Sequence, residues 1–167
     1  MPEPEVWLRG PLPDVPALLQ PVAHSLMQCR NEVHEAIAGL SPAEIWSRPG
    51  GAASIGFHAR HAVGSLDRLL TYARGERLSA AQRDALAAEG DLDLADGAGE
   101  RLVTELDLAV ERALAQLRAT DEHTLLEPRG VGRAELPSTV IGLLFHAAEH
   151  MQRHVGQLVT TSRIVGR

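Results

Sequence analysis

Aromatic side chains are nearly missing from this sequence, at 3% of residues. Strands draw heavily on aromatic and β-branched residues, so this scarcity, beside abundant alanine, leucine and arginine, weighs against a sheet protein and favours helices. A single cysteine, Cys29, excludes an internal disulfide and fits a reducing, cytoplasmic setting. The opening stretch MPEPEVWLRG has neither the basic nor the apolar region of a signal peptide. No apolar run approaches the ~20 residues that span a bilayer, so no membrane role is expected. Basic residues are outnumbered: 16 Lys plus Arg face 22 Asp plus Glu, for a net charge of −6. That is a poor footprint for a phosphate backbone, and nucleic acid is not expected as a partner.

What is present has helical spacing. A chain of 167 residues is most simply one domain, residues 1–167, large enough to bury a core without disulfide or metal staples. Prolines 2, 4, 11 and 13 predict an extended N-terminal arm. From Asp14 onward Leu18, Val22, Leu26, Cys29, Val33, Ile37 and Leu40 recur at steps of three and four, predicting a first long helix that Pro21 breaks mildly if at all. SPAE at 41–44 combines a Ser cap, Pro at the first helical position and Glu at the third, so a short helix holding Ile45 and Trp46 should follow.

A second long helix is expected from about Ser54 to Tyr72 or Arg74, stopped by Gly75. Its inner face, with Ile55, His58, His61 or Ala62, Ser65, Leu69 and Tyr72, is unusually polar. SAAQ at 79–82 caps a short helix reaching about Glu89, and a polar, glycine-bearing connection follows. A third long helix spans Glu100 to about Ala119. Residues 125–137, with two prolines and two glycines, read as a loop or loose hairpin. A fourth helix carries Val140, Leu143, Ala147, His150, His154, Leu158 and Thr161 on one face. Four long helices with two short excursions predict an all-α protein, a four-helix bundle with at least one long crossover connection.

The eight histidines are unevenly spread: five fall on two of these helices. HAAEHMQRH places His146, His150 and His154 at intervals of four, one turn apart and on one face. An imidazole buried without a partner costs roughly 1–3 kcal/mol, so several on inward faces ask for a compensating interaction. A divalent metal supplies one. His150 and His154 can aim at a common point beside their helix, and His61 or His58 of the second helix can close a three-nitrogen set. His146 and His154 lie about 12 Å apart along the axis, which makes His146 a supporting donor or core residue before a ligand. His24, His34 and His123 carry no assignment.

Two rival motifs are weaker. His146, Glu149 and His150 spell HxxEH, as in an inverted zincin with a glutamate base, but no acidic residue follows His150 to complete that site. A ferritin-like di-iron centre needs ExxH pairs, and no glutamate here has a histidine three residues later. Glu149 lies about 100° round the helix from His150, where a solvated charge is the simpler role. Gln157 is either a ligand-orienting amide or a surface one.

SIGFHARHAVGSLDRLLTYARGE (54–76), taken with HAAEHMQRHVGQL (146–158), resembles the DinB or YfiT-like superfamily of small metal-binding four-helix bundles. The likeness covers nearly the whole chain and includes SPAEIWSRP and the Gly156–Gln157 pair after the last histidine. It implies metal ligands at His61, just before AVGS, and at His150 and His154. The implied ion is zinc or nickel, with iron or manganese also compatible. Relatives of this kind include transferases and isomerases that use low-molecular-weight thiols, and other members carry a hydrolase label. The resemblance therefore implies a metal-dependent enzyme acting on a small-molecule substrate through an activated thiol or water; the alternative is a non-catalytic metal-binding or stress-response module. It also admits a homodimer, since related bundles commonly expose an apolar helix face. One departure is visible: many members carry an arginine directly after the last histidine, where this chain has Val155 and places Arg153 just before.

Overall fold

A computed structural model describes residues 3–166. Helix takes up 67% of it, beside one two-stranded hairpin, so the fold is all-α. The elements run α1 (Gln20–Ile37), α2 (Pro42–Trp46), α3 (Ile55–Ala73), α4 (Ala80–Ala87), α5 (Ala98–Ala119), β1 (Pro128–Val131), β2 (Leu136–Thr139) and α6 (Val140–Val165). The four long helices form a ring in which α6 packs on α3 and α1, and α5 packs on the other side of the same two. Because α1 and α3 lie diagonally, the chain crosses the bundle twice. One crossing is made through α2, the other through the hairpin.

Local chemistry sets the helix ends. Both short helices carry complete capping boxes, Ser41 with Glu44 and Ser79 with Gln82, which satisfy backbone donors at each start. Ser54 caps α3, its Oγ accepting from the Phe57 N–H at 3.1 Å. Gly75, at φ +76°, stops the same helix, with the Gly75 and Glu76 N–H groups donating to Tyr72 and Thr71 carbonyls. Replacing Ser54 by alanine is expected to cost about 1 kcal/mol, the usual worth of such a cap. A urea unfolding midpoint unchanged by the substitution would contradict this role.

Three sequence expectations need correction. The first long helix begins at Gln20, not near Asp14: Pro16 precedes a 3₁₀ turn over Ala17–Leu19, and Pro21 falls in the first helical turn, where its missing N–H costs nothing. The N-terminal arm is not wholly extended. Val6–Leu8 make a 3₁₀ turn held by burial of Val6 and by its N–H donating to the Gln28 side chain at 3.1 Å; the arm's Pro2 lies outside the described residues. Finally, the wholly buried stripe of α6 runs through Leu144, Ala148, Met151 and Val155 as well as Leu143, Ala147 and Leu158. His150 and His154 sit at its margin, partly buried.

The core is aliphatic, built from leucines, valines, isoleucines and alanines of all four long helices. At the entrance to α3 the Trp46 indole lies flat on Gly56, where an added Cβ would come within 2.6–2.8 Å of the ring. The Arg60 guanidinium covers the indole, 4.7 Å from its centroid, a cation–π contact. The first turns of α3, which carry the histidines, are thereby fixed against the α2 connection. Among the described residues no helix is long and apolar enough to cross a membrane.

Candidate metal centre

Helices α3 and α6 bring His61, His150 and His154 together: one ring nitrogen from each can be chosen so that all lie within 4.8 Å of one another. Two helices suffice because His150 and His154 are one turn apart on α6 and both rings turn toward α3. The ring centroids of His61 stand 4.4 Å from His154 and 5.2 Å from His150, and those of His150 and His154 are 4.7 Å apart. The Nε2 atoms of His61 and His150 face each other at 3.0 Å.

These distances fit a shared ion. Nitrogens bound to zinc at ~2.0–2.1 Å in a tetrahedral set stand about 3.3 Å from one another, close to the observed separation of the two Nε2 atoms. No carboxylate belongs to the trio. All three residues are partly buried, so each keeps some contact with solvent.

Each ring is held from behind in its own way. His61 Nδ1 lies 2.7 Å from Glu89 Oε2, and Phe57 stacks on the ring at 5.6 Å between centroids, with the planes 12° apart. His154 Nδ1 lies 3.1 Å from Nδ1 of His58, which is 6% exposed. His150 Nδ1 is buried with no hydrogen-bond partner. Histidine alternates between donor and acceptor at its two nitrogens, so the partner of one nitrogen sets the role of the other.

Burial is the main force on the charge states. It lowers the pKa of His58 and His150, with the neighbouring His61 adding to the effect. The same two causes, burial first and His61 next, followed by His150 and His58, bring His154 down to about 4. Neutral imidazoles are the form that binds metal. An unfolded histidine takes up its proton near 6.5, well above the folded value for His154. The unfolded chain therefore holds more protons between those values, and stability falls as the pH drops from about 6.5 toward 4. The urea midpoint of metal-free protein is expected to be lower at pH 5 than at pH 7; equal midpoints would contradict a folded state built on neutral rings.

The remaining sequence candidates fall outside the cluster. His146 is exposed and pairs with Glu149 at 3.3 Å, so the core reading of His146 is overturned. Glu149 bonds to Arg153 and His146 at the surface, as a solvated charge. Gln157 is exposed. Val155, where many relatives carry arginine, is completely buried in the core, and Arg153 points outward to Glu149. His34 pairs with Asp107 at 2.8 Å, and His24 with the Gly10 carbonyl at 3.0 Å, both at the surface.

Sequence spacing does not reveal Glu89, and with His61 assigned by the family motif it gives His58 no role. Glu89 lies 28 residues from His61, in a polar connection with no periodicity to mark it as buried. Nothing short of the fold brings it to the site. For His58 the signal was present: it sits three residues before His61 on the same helical face.

A comparison with curated proteins gave no match. The model of the DinB superfamily matches residues 7–158, a span that includes His58, His61, Glu89, His150 and His154. With most of the sequence matched and a helical bundle bringing the three histidines together, the chain belongs to the DinB superfamily.

Proposed function

We propose that His61, His150 and His154 hold a divalent metal ion and that the protein is a metal-dependent enzyme acting on a small molecule through an activated low-molecular-weight thiol or water. The observation that carries this reading is the convergence of three imidazoles, without a carboxylate, on residues that keep some contact with solvent. An ion bound there keeps its full charge among neutral ligands and supplies Lewis acidity that favours the deprotonated form of a thiol or water. Imidazole ligands suit zinc, nickel and iron, and the family resemblance also admits manganese.

The chain's own groups then have defined tasks. Phe57 stacks on one face of His61 and helps fix its orientation. His58 offers its Nδ1 to that of His154 from the buried side and holds that ring in place. Glu149 is engaged at the surface and supplies no base. Burial, followed by the charge of Glu32, pushes the Cys29 thiol up to about 12, so the protein's one thiol is not the nucleophile. A reacting thiol comes from outside.

The reading is tested by incubating metal-loaded protein with a panel of small thiols and a generic alkylating electrophile, and by following loss of free thiol against a metal-stripped control. Conjugation above the control is the expected result. Stoichiometric metal with no turnover across the panel, and no hydrolysis of activated esters or amides, would make the protein a binding module instead.

A further inference from the structure

Glu89 is a buried carboxylate that reaches α3 from the connection between α4 and α5. Its side chain is 7% exposed and ends in two defined contacts: Oε1 accepts from the Arg68 guanidinium at 2.8 Å, and Oε2 lies 2.7 Å from His61 Nδ1. His61 and Arg68 are seven residues apart, so both lie on the same face of α3, two turns from one another. Between them on that face sits Gly64. A Cβ at this position would come within 2.6 Å of Glu89 Oε1 and 2.7 Å of Arg68 Nη1. Histidine, glycine and arginine therefore form a seat on α3 into which the Glu89 carboxylate fits.

Resting on the metal-site reading above, we infer that Glu89 is a positioning residue: its carboxylate, anchored by Arg68 in the gap left by Gly64, takes the Nδ1 hydrogen of His61 and turns a bare Nε2 toward His150 and His154. A carboxylate oxygen next to Nδ1 accepts, so the hydrogen of the neutral ring sits on Nδ1 and the lone pair on Nε2. The 3.0 Å contact between the Nε2 atoms of His61 and His150 then has His150 as donor. His150 Nδ1 has no partner, so nothing on the far side of that ring opposes this assignment. Partners of this kind fix ring orientation and raise the basicity of a ligating imidazole.

Glu89→Gln tests the inference sharply because the amide cannot serve both neighbours as the carboxylate does. Its oxygen must face the Arg68 donors, which turns its NH₂ toward His61 Nδ1. Nδ1 then becomes an acceptor, and the hydrogen moves to Nε2, into the site. Long-range ¹⁵N–¹H correlation spectra of metal-free protein are expected to show His61 protonated at Nδ1 in the parent chain and at Nε2 in Glu89→Gln. Zinc affinity, measured by competition with a chromogenic chelator, is expected to fall about 10–100-fold, with the far-UV circular dichroism unchanged. Gly64→Ala provides a second route if Glu89→Gln does not fold. It removes no polar group and raises helix propensity, yet it displaces the carboxylate, so the preference for Nδ1–H and the zinc affinity should both diminish. A parent chain with its His61 hydrogen on Nε2, or variants with unaltered tautomer and affinity, would overturn the assignment. A parent chain that binds no zinc would defeat the metal-site reading, whereas the tautomer measurement would still decide the role of Glu89.

Discussion

His150→Ala is expected to take bound zinc from stoichiometric to background in elemental analysis of protein purified without an affinity tag. Removing one of three imidazoles leaves two nitrogens, and the loss should exceed the ~10–100-fold typical of an outer partner. The fold should survive. His150 is only partly buried and its Nδ1 has no partner, so the substitution gives up one contact with His61 and gains helix propensity. Metal-free parent and variant should unfold within about 0.5 kcal/mol of each other, the usual range for changes outside the core. Loss of zinc is likewise expected for His61→Ala and His154→Ala, but each also strips a buried neighbour, Glu89 or His58, of its partner and should cost about 1–3 kcal/mol of stability. Metal content that stays stoichiometric in any of the three would reject that residue as a ligand.

One residue further along, Met151→Ala should do the opposite. Met151 is completely buried between α6 and the core, and truncating such a side chain costs about 2–5 kcal/mol through lost transfer energy and a residual cavity. For a chain of this length that corresponds to a fall in melting temperature of roughly 4–20 °C. Below the transition, zinc stoichiometry at saturating metal should equal that of the parent. A melting temperature lowered by less than about 2 °C would show that the core closes over the gap more fully than its packing suggests. Adjacent positions on one helix would thus separate chemistry from stability. That separation follows from the histidines lying at the edge of the apolar stripe.

Much of the fold can be read from local signals. SPAE and SAAQ cap the helices they introduce, and Gly75 ends α3 in the left-handed conformation that favours glycine. Periodicity locates the four long helices, because each buries a stripe with a 3.6-residue repeat. It misplaces the start of α1, since a proline tolerated in the first turn looks the same in sequence as one that breaks a helix. The same method puts His150 and His154 in the centre of the buried face of α6. A stripe more than 100° wide has margins, and spacing alone cannot tell a margin from the middle. The three histidines were legible because two share a helix at i and i+4 and the third belongs to a recognisable family motif. Glu89 and Arg68 were not: the carboxylate's burial depends on the gap at Gly64, which exists only after α3 and the α4–α5 connection have come together.

His61 and His150 are separated by 89 positions along the chain, and the helix carrying the second of them follows all the others. A ribosome therefore releases α1 to α5 before the helix bearing His150 and His154 exists, and a nascent chain at that stage holds one imidazole of the three. If the proposed site takes up metal, capture would come after translation of α6, and the ion would not guide the earlier helices to their places. Loading would instead report that assembly is finished.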